Sequence, residues 1–219
     1  MSAPDGRRIG HDSSDALPAR SGPPASTTDR TKAGIKVVSV NVGLPRDFEV
    51  QGKRVRTAVW KSPVAGHVHV WKLNIEGDAQ ADPDVHGGPL KAVYAYPSEH
   101  YELWRKELEL AELGWGSFGE NLTTVGLSES TVRIGDRLRI GTVELQVTKP
   151  RLPCYKLALR LGRPEILRRL VQTGRTGFYL AVLEEGRLAA GDSIECVASS
   201  ERGPTVAEVV AARDASREE

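Results

Sequence analysis

The sequence predicts a mainly β domain, a closed or nearly closed barrel with a few helices inserted and a short helix at its C-terminal end. Three observations carry this expectation. Short β-rich runs recur between residues 35 and 197, and turn pairs such as Gly135-Asp136, Glu185-Gly186 and Gly191-Asp192 punctuate them. Only three helical patterns interrupt the series. Many short strands between turn signals favour a barrel over alternating βαβ units.

Residues 1–33 are rich in Ser, Pro, Gly, Asp and Arg, with Ile9 and Leu17 as their sizeable aliphatics. Such a stretch buries too little apolar surface to offset its ordering entropy, so a disordered tail is expected. Structure is expected to start at Ile35, in a β-rich run that Gly43 and Pro45 end. Further strand-like runs follow at 54–60, 66–73, 90–96, 137–140, 143–149, 177–183 and 193–197. The first helix begins near Ser98 as N-cap and places Tyr101, Trp104, Leu108 and Ala111 on one face. The second carries Pro164 in its first turn, buries Ile166, Leu167, Leu170 and Val171, and stops at Gly174. A third, 205–213, has a weaker face of Val206, Val209 and Val210, and a frayed polar end follows it. The expected organisation is a tail at 1–33, a barrel at 34–199, and a short helix and tail at 200–219.

With 219 residues, 39% hydrophobic and 27% charged, the chain can bury one substantial core. A net charge of +1 gives no global field toward nucleic acid or an anionic membrane, so neither is an expected partner. No run approaches the roughly 20 apolar residues of a membrane helix. Arg7-Arg8 is followed by His11, Asp12 and Ser13 rather than an apolar stretch, which argues against an export signal and for a cytoplasmic location. The two cysteines, Cys154 and Cys196, cannot supply the four ligands of an iron–sulfur cluster or an all-cysteine zinc site. Any redox chemistry therefore needs electrons from outside. Cys196, between Glu195 and Val197 in the last strand, is expected to be a packed structural residue.

Four segments can carry chemistry. In 82–89, running into Lys91, His86 precedes Gly87 and Gly88. The glycines let backbone N–H groups approach an anion beside an imidazole, or they merely turn the chain. In 116–122, Glu120 and Asn121 follow a Gly-flanked Phe118. That loop suits hydrogen bonding to a heterocycle, or Asn121 simply caps a turn. In 149–156, Cys154 sits among Lys149, Arg151 and Lys156 behind two prolines, Pro150 and Pro153. An electropositive setting favours the thiolate, the form that binds soft metals; the other reading is a buried structural cysteine. In 173–177, Arg175 either clamps a phosphate or lies on the surface after a helix stop. His67-Val68-His69 has the spacing of two zinc ligands on one strand face, but no third ligand is identifiable, and solvent-facing histidines are the alternative. A nucleophilic pair of Cys154 with His86 depends on folded proximity.

Taken in order, Gly77-Asp78, His86-Gly87-Gly88, Tyr96-Pro97 with Glu99-His100-Tyr101 and Trp104, Phe118-Gly119-Glu120-Asn121-Leu122, Gly126-Leu127, Gly135-Asp136 and Pro150-Arg151-x-Pro153-Cys154-x-Lys156 form a specific series. The series, over about 35–198, resembles the MOSC (molybdenum cofactor sulfurase C-terminal) domain. It is most similar to bacterial stand-alone members that reduce N-hydroxylated purines.

The resemblance implies a MOSC-type β-barrel and a molybdenum–molybdopterin cofactor, with Cys154 as the protein ligand to the metal. It further implies cofactor or substrate contacts at Gly87, Gly88, Lys91, Glu120, Asn121, Arg151 and Lys156. His86 would carry a proton, and Arg175 would contact a phosphate. The implied reaction reduces small N-hydroxylated compounds, hydroxylaminopurines or amidoximes, with electrons from a separate flavin or iron–sulfur reductase. The alternative is a carrier that holds the cofactor or a sulfur atom on Cys154. Pyridoxal phosphate, which broad descriptions of the family include, is not expected, because the domain that binds it has no room here. Relatives of this type often continue into a C-terminal helical bundle, of which only 205–213 is expected here. Oligomeric state is left open.

Overall fold

The computed structural model describes residues 34–50, 52–81 and 87–218; the expected tail at 1–33 lies outside them. β1 (Lys36–Val42), β4 (Ser62–Val64), β6 (Val93–Pro97), β7 (Leu122–Val125), β8 (Arg137–Ile140), β9 (Val143–Pro150), β10 (Phe178–Glu184) and β12 (Ile194–Ala198) form one eight-stranded sheet. Its order is β12-β8-β9-β10-β6-β7-β1-β4. Among these neighbours only β6 and β7 run parallel, and α1 (Glu99–Glu107) lies in the crossover that a parallel pair requires. Two small ladders complete the β structure: β2 (Arg46–Val50) with β3 (Lys53–Thr57), and β5 (Val68–Val70) with β11 (Gly186–Leu188).

No continuous ladder closes the large sheet. Instead β1 and the start of β12 meet at one bridge, Lys36 to Ser193. Around it Ile194 N donates to Ile35 O (2.8 Å), and Val37 N donates to Asp192 O (2.9 Å). The mainly β expectation holds, in a barrel that is nearly closed rather than sealed.

The sheet has a core on each face. Val37, Val40, Val93, Ala95, Leu145, Phe178 and Leu180 belong to the barrel interior. Tyr94 and Tyr96, pointing the opposite way from β6, join Tyr101, Trp104, Phe118, Leu157, Ile166 and Leu170 in a second, aromatic core. Tyr96 stacks on Phe118 at 4.3 Å. With both faces covered, every residue of β6 is buried.

The helices correct several expectations. α1 ends at Glu107, so Leu108 is its C-cap and Ala111 is exposed beyond it. Ser98 already has helical torsions and makes no side-chain cap bond, its hydroxyl lying instead toward Glu99 (3.4 Å). α2 (Tyr155–Leu161) was not expected; it buries Leu157 and stops at Gly162 with φ 63°. α3 (Ile166–Thr173) starts two residues after Pro164 and ends at Gly174 as expected. α4 (Val206–Glu218) runs beyond residue 213. A reciprocal cap holds its start: Thr205 N donates to Glu208 Oε2 (2.6 Å), and Glu208 N donates to Thr205 Oγ1 (3.1 Å).

Cys196 is exposed rather than packed. β12 is an edge strand whose pairing with β8 shifts register just after Cys196, and Val197, not the thiol, is the partly buried residue there. Among the described residues no helix is long and apolar enough to cross a membrane.

Candidate functional site

Strand β9 ends at Pro150, and the chain leaves it through Arg151-Leu152-Pro153 to reach Cys154, the residue capping α2. Arg151 N donates to Gly177 O (3.2 Å), which ties this exit to the start of β10. Gly177 has φ 65°, and a Cβ there would stand 2.5 Å from Ala95 O and 2.7 Å from Tyr94 Cε2. Only glycine lets β10 approach β6 this closely beside Arg151.

Cys154 lines a cleft enclosing about 650 Å³, open solvent at its mouth included. One wall is Thr57, Ala58, Val59 and Lys61, a second Asp78 to Ala81, and a third Lys91, Ala92 and Tyr94. Gly119, Asn121, Arg151, Lys156 and Tyr179 complete it. Five expected site residues therefore converge: Lys91, Asn121, Arg151, Cys154 and Lys156.

Others do not line the cleft. Glu120 is fully buried and braces its own loop: Gly116 N (2.8 Å), Phe118 N (3.1 Å), Thr123 Oγ1 (2.8 Å) and the Tyr101 hydroxyl all donate to its carboxylate. Arg175 is ion-paired with Glu107 (2.6 Å), and its guanidinium lies 5.0 Å from the Trp104 ring centre. It holds the 174–177 turn against α1. Gly87 and Gly88 are not among the lining residues, and Gly88 reaches the cleft wall through Gln80, whose Oε1 accepts from Gly88 N (3.2 Å). His86 lies outside the described residues, so its pairing with Cys154 does too. His69 lies on β5 with its ring tilted 40° against that of Trp71, centres 3.6 Å apart, while His67 is exposed before that strand.

Asn121 lines the cleft with its amide already engaged. Its Oδ1 accepts from Tyr94 N (3.1 Å), and its Nδ2 donates to Asp78 Oδ2 (2.9 Å) and Asn41 O (3.4 Å). The amide thus helps to shape the wall.

The sequence reading missed the pair Lys61–Asp78. Asp78 accepts from the Lys61 ammonium and from Gly43 N (2.9 Å), and both side chains are buried. Burial pushes Lys61 below the usual lysine range, and Asp78 counteracts this. Gly77-Asp78 stood in the motif series, but nothing local marks Lys61, 17 residues away, as its partner.

Arg151 is 7% exposed, and its Nη1 has no hydrogen-bond partner among the described residues. Its guanidinium lies 5.3 Å from the Tyr94 ring centre. Burial alone would weaken its hold on the proton, but Tyr94, Tyr179 and Cys154 together more than offset that, and its pKa is raised. Among the described residues, Lys61, Lys91, Arg151 and Lys156 face one lining carboxylate, Asp78. The cleft is therefore locally cationic in a chain of net charge +1.

These features fit a molybdenum–pterin group. Among the described residues, a buried donor without a partner and an excess of cations suit its phosphate, and a cysteine sulfur suits a soft metal. Among the described residues no three His, Cys, Asp or Glu side chains gather as a metal cage.

Fold and cleft together define a near-closed β-barrel with one cysteine set in a cationic pocket at the sheet margin. The chain belongs to the MOSC domain family, whose description matches residues 82–195. It is 45% identical to the uncharacterized protein YflK of Bacillus subtilis (strain 168) over 170 residues, 78% of this chain and 76% of that one. It is 42% identical to protein YiiM of Escherichia coli (strain K12) over 143 residues, 64% of each chain. A protein named "Reductase" from Gibberella moniliformis is 37% identical over 148 residues, 65% of this chain and 26% of that longer one. The crystal structure of YiiM from Geobacillus stearothermophilus superposes with a TM-score of 0.70 at 34% identity, covering 84% of this chain and 86% of that one.

Proposed function

We propose that the chain is a cytoplasmic, molybdenum-cofactor-dependent oxidoreductase that reduces small N-hydroxylated compounds, hydroxylaminopurines or amidoximes. The observation that carries this reading is the buried Arg151 Nη1, without a partner among the described residues, in the cleft that Cys154 lines. Family membership, the relative named as a reductase and the resemblance of the motif series support it.

The reaction is R–NH–OH + 2 electrons + 2 protons → R–NH2 + water. The bound cofactor supplies the two-electron chemistry. Cys154 anchors it through sulfur, and Arg151 donates a charge-assisted hydrogen bond to its anionic end, with Lys91 and Lys156 adding positive potential. Tyr94 and Tyr179 keep water from the inner end of the cleft. Lys61, steadied by Asp78, holds a proton at its Nζ beside the substrate space, and His86 is proposed as a second proton carrier on sequence grounds. A separate flavin or iron–sulfur reductase supplies the electrons.

The test is to express the chain in a host that makes the cofactor, measure molybdenum per protein, reduce the protein chemically and follow loss of N-hydroxylated adenine. Turnover by loaded, reduced protein is expected. Loaded protein without turnover would sink the reductase reading and favour the carrier, and protein without molybdenum would sink the reductase and the cofactor carrier, leaving only a carrier of sulfur on Cys154.

A further inference from the structure

The cleft wall at 58–61 belongs to no strand, so its backbone polar groups need partners from elsewhere. Part of that need is met locally: Val59 N donates to Thr57 Oγ1 (3.1 Å), and Lys61 N donates to Val59 O (3.2 Å). Two of its carbonyls are met from α2. Arg160 Nη1 donates to Val59 O and Nη2 donates to Lys61 O (3.1 Å), so one guanidinium grips two carbonyls of the wall. Burial lowers the Arg160 pKa, and Glu120 and Tyr101 counteract this.

The wall is also pressed from its other sides. A Cβ on Gly119 would stand 2.9 Å from Val59 Cγ2, one on Gly116 2.9 Å from Lys61 O, and one on Gly43 2.4 Å from Trp60 O. The segment therefore rests against close backbone neighbours on those sides, and Arg160 is the side-chain tie to the helix that starts at Cys154. That helix has Cys154 at its head and Arg160 near its end, six residues on. Val59, Lys61 and Cys154 all line the cleft.

We infer that Arg160 is a positioning residue: it fixes the wall bearing Lys61 relative to the thiol of Cys154 and so sets the width of the cleft. Its side chain is not among the residues that line the cleft. The inference rests on the proposed function only in its kinetic consequence, since the brace is a property of the folded chain.

Two cysteines outside any disulfide give the test its internal reference. The full chain is alkylated with iodoacetamide, and the modification rates of Cys154 and Cys196 are followed separately by peptide mass. In Arg160→Gln the ratio of the Cys154 rate to the Cys196 rate should rise about fivefold or more, because the head of α2 opens locally while β12 is untouched. Arg160→Lys keeps the cation but reaches a single carbonyl, and should raise the ratio by about twofold. An unchanged ratio, or both cysteines accelerating in step, would overturn the brace. If Arg160→Gln does not fold, Arg160→Lys decides the matter on the same criterion. In molybdenum-loaded protein, kcat should fall more than KM rises, since geometry rather than binding chemistry is disturbed. Wild-type protein without turnover would count against the proposed function and leave the alkylation result standing.

Discussion

Asn121 Nδ2 lies 2.9 Å from Asp78 Oδ2, so an amide from one motif fixes the carboxylate of another, which in turn holds the Lys61 ammonium. Removing the carboxylate charge strands a buried cation. Asp78→Asn is expected to destabilise the fold by about 3–5 kcal/mol, read as a lower urea midpoint with an unchanged slope. Adding Lys61→Met should restore much of the loss, because it removes the stranded charge. Equal stability of the single and double variants would contradict this account.

Alkaline pH acts on the aromatic core. Burial raises Tyr94, Tyr96 and Tyr101 well above the ordinary tyrosine value of 10.0. Their folded-state pKa values exceed the unfolded ones, so the stability they contribute is complete below pH 10.0 and is lost as pH rises from there toward the raised values. Lys61 acts in the opposite sense. Its lowered folded pKa means that stability rises with pH between that value and the ordinary 10.5. Three tyrosines against one lysine predict net loss above pH 10.5. Tyrosinate absorbance from the core should therefore appear in the same step as loss of far-UV circular dichroism. Tyrosinate from Tyr94, Tyr96 or Tyr101 while the fold persists would refute the assignment.

Strands with apolar, β-rich runs were legible in the chain, as β1, β8, β9 and β10 show. The three-residue β4 and β11 were not, because their pairing is set by distant partners, Val40 to Val42 and His69. α2 was hidden for a related reason: seven residues give barely two turns, and tertiary contacts through Leu157 and Arg160 hold it. At the site, residues in contiguous motifs were found, and Cys154, Arg151 and Lys156 lie together. Lys61 and Arg160 were missed because their roles exist only across long loops. Glu120 and Arg175 were assigned outward because a carboxylate beside glycines and an arginine between glycines look the same in sequence whether they bind a ligand or the chain itself.

Arg151 offers a separation of binding from folding. Arg151→Met keeps similar bulk against Tyr94 and removes a buried charge, so stability of the cofactor-free chain should change by less than about 1.5 kcal/mol. The charge-assisted hydrogen bond it would give an anionic ligand is worth about 1.5–3 kcal/mol. Cofactor retention, read as molybdenum per protein after extensive dialysis, should correspond to affinity weakened about tenfold to a hundredfold. Full retention with an unchanged fold would remove Arg151 from the site.

Gly177 and Gly162 both have positive φ, 65° and 63°, but their surroundings differ. A Cβ at Gly162 meets nothing within 4 Å, whereas at Gly177 it collides with Ala95 O, Tyr94 and Tyr96. Gly162→Ala should therefore carry only the left-handed backbone penalty, about 1–2 kcal/mol. Gly177→Ala adds overpacking, a further 1–3 kcal/mol or so, and pushes on the residue whose carbonyl accepts from Arg151 N and whose N–H donates to Glu129 Oε1 (2.7 Å). Urea denaturation should rank the variants in that order, and molybdenum retention should fall in Gly177→Ala alone, because only that turn fixes the exit of β9. Equal losses of stability in the two variants would show that the approach of β10 to β6 beside Arg151 is not under the constraint described.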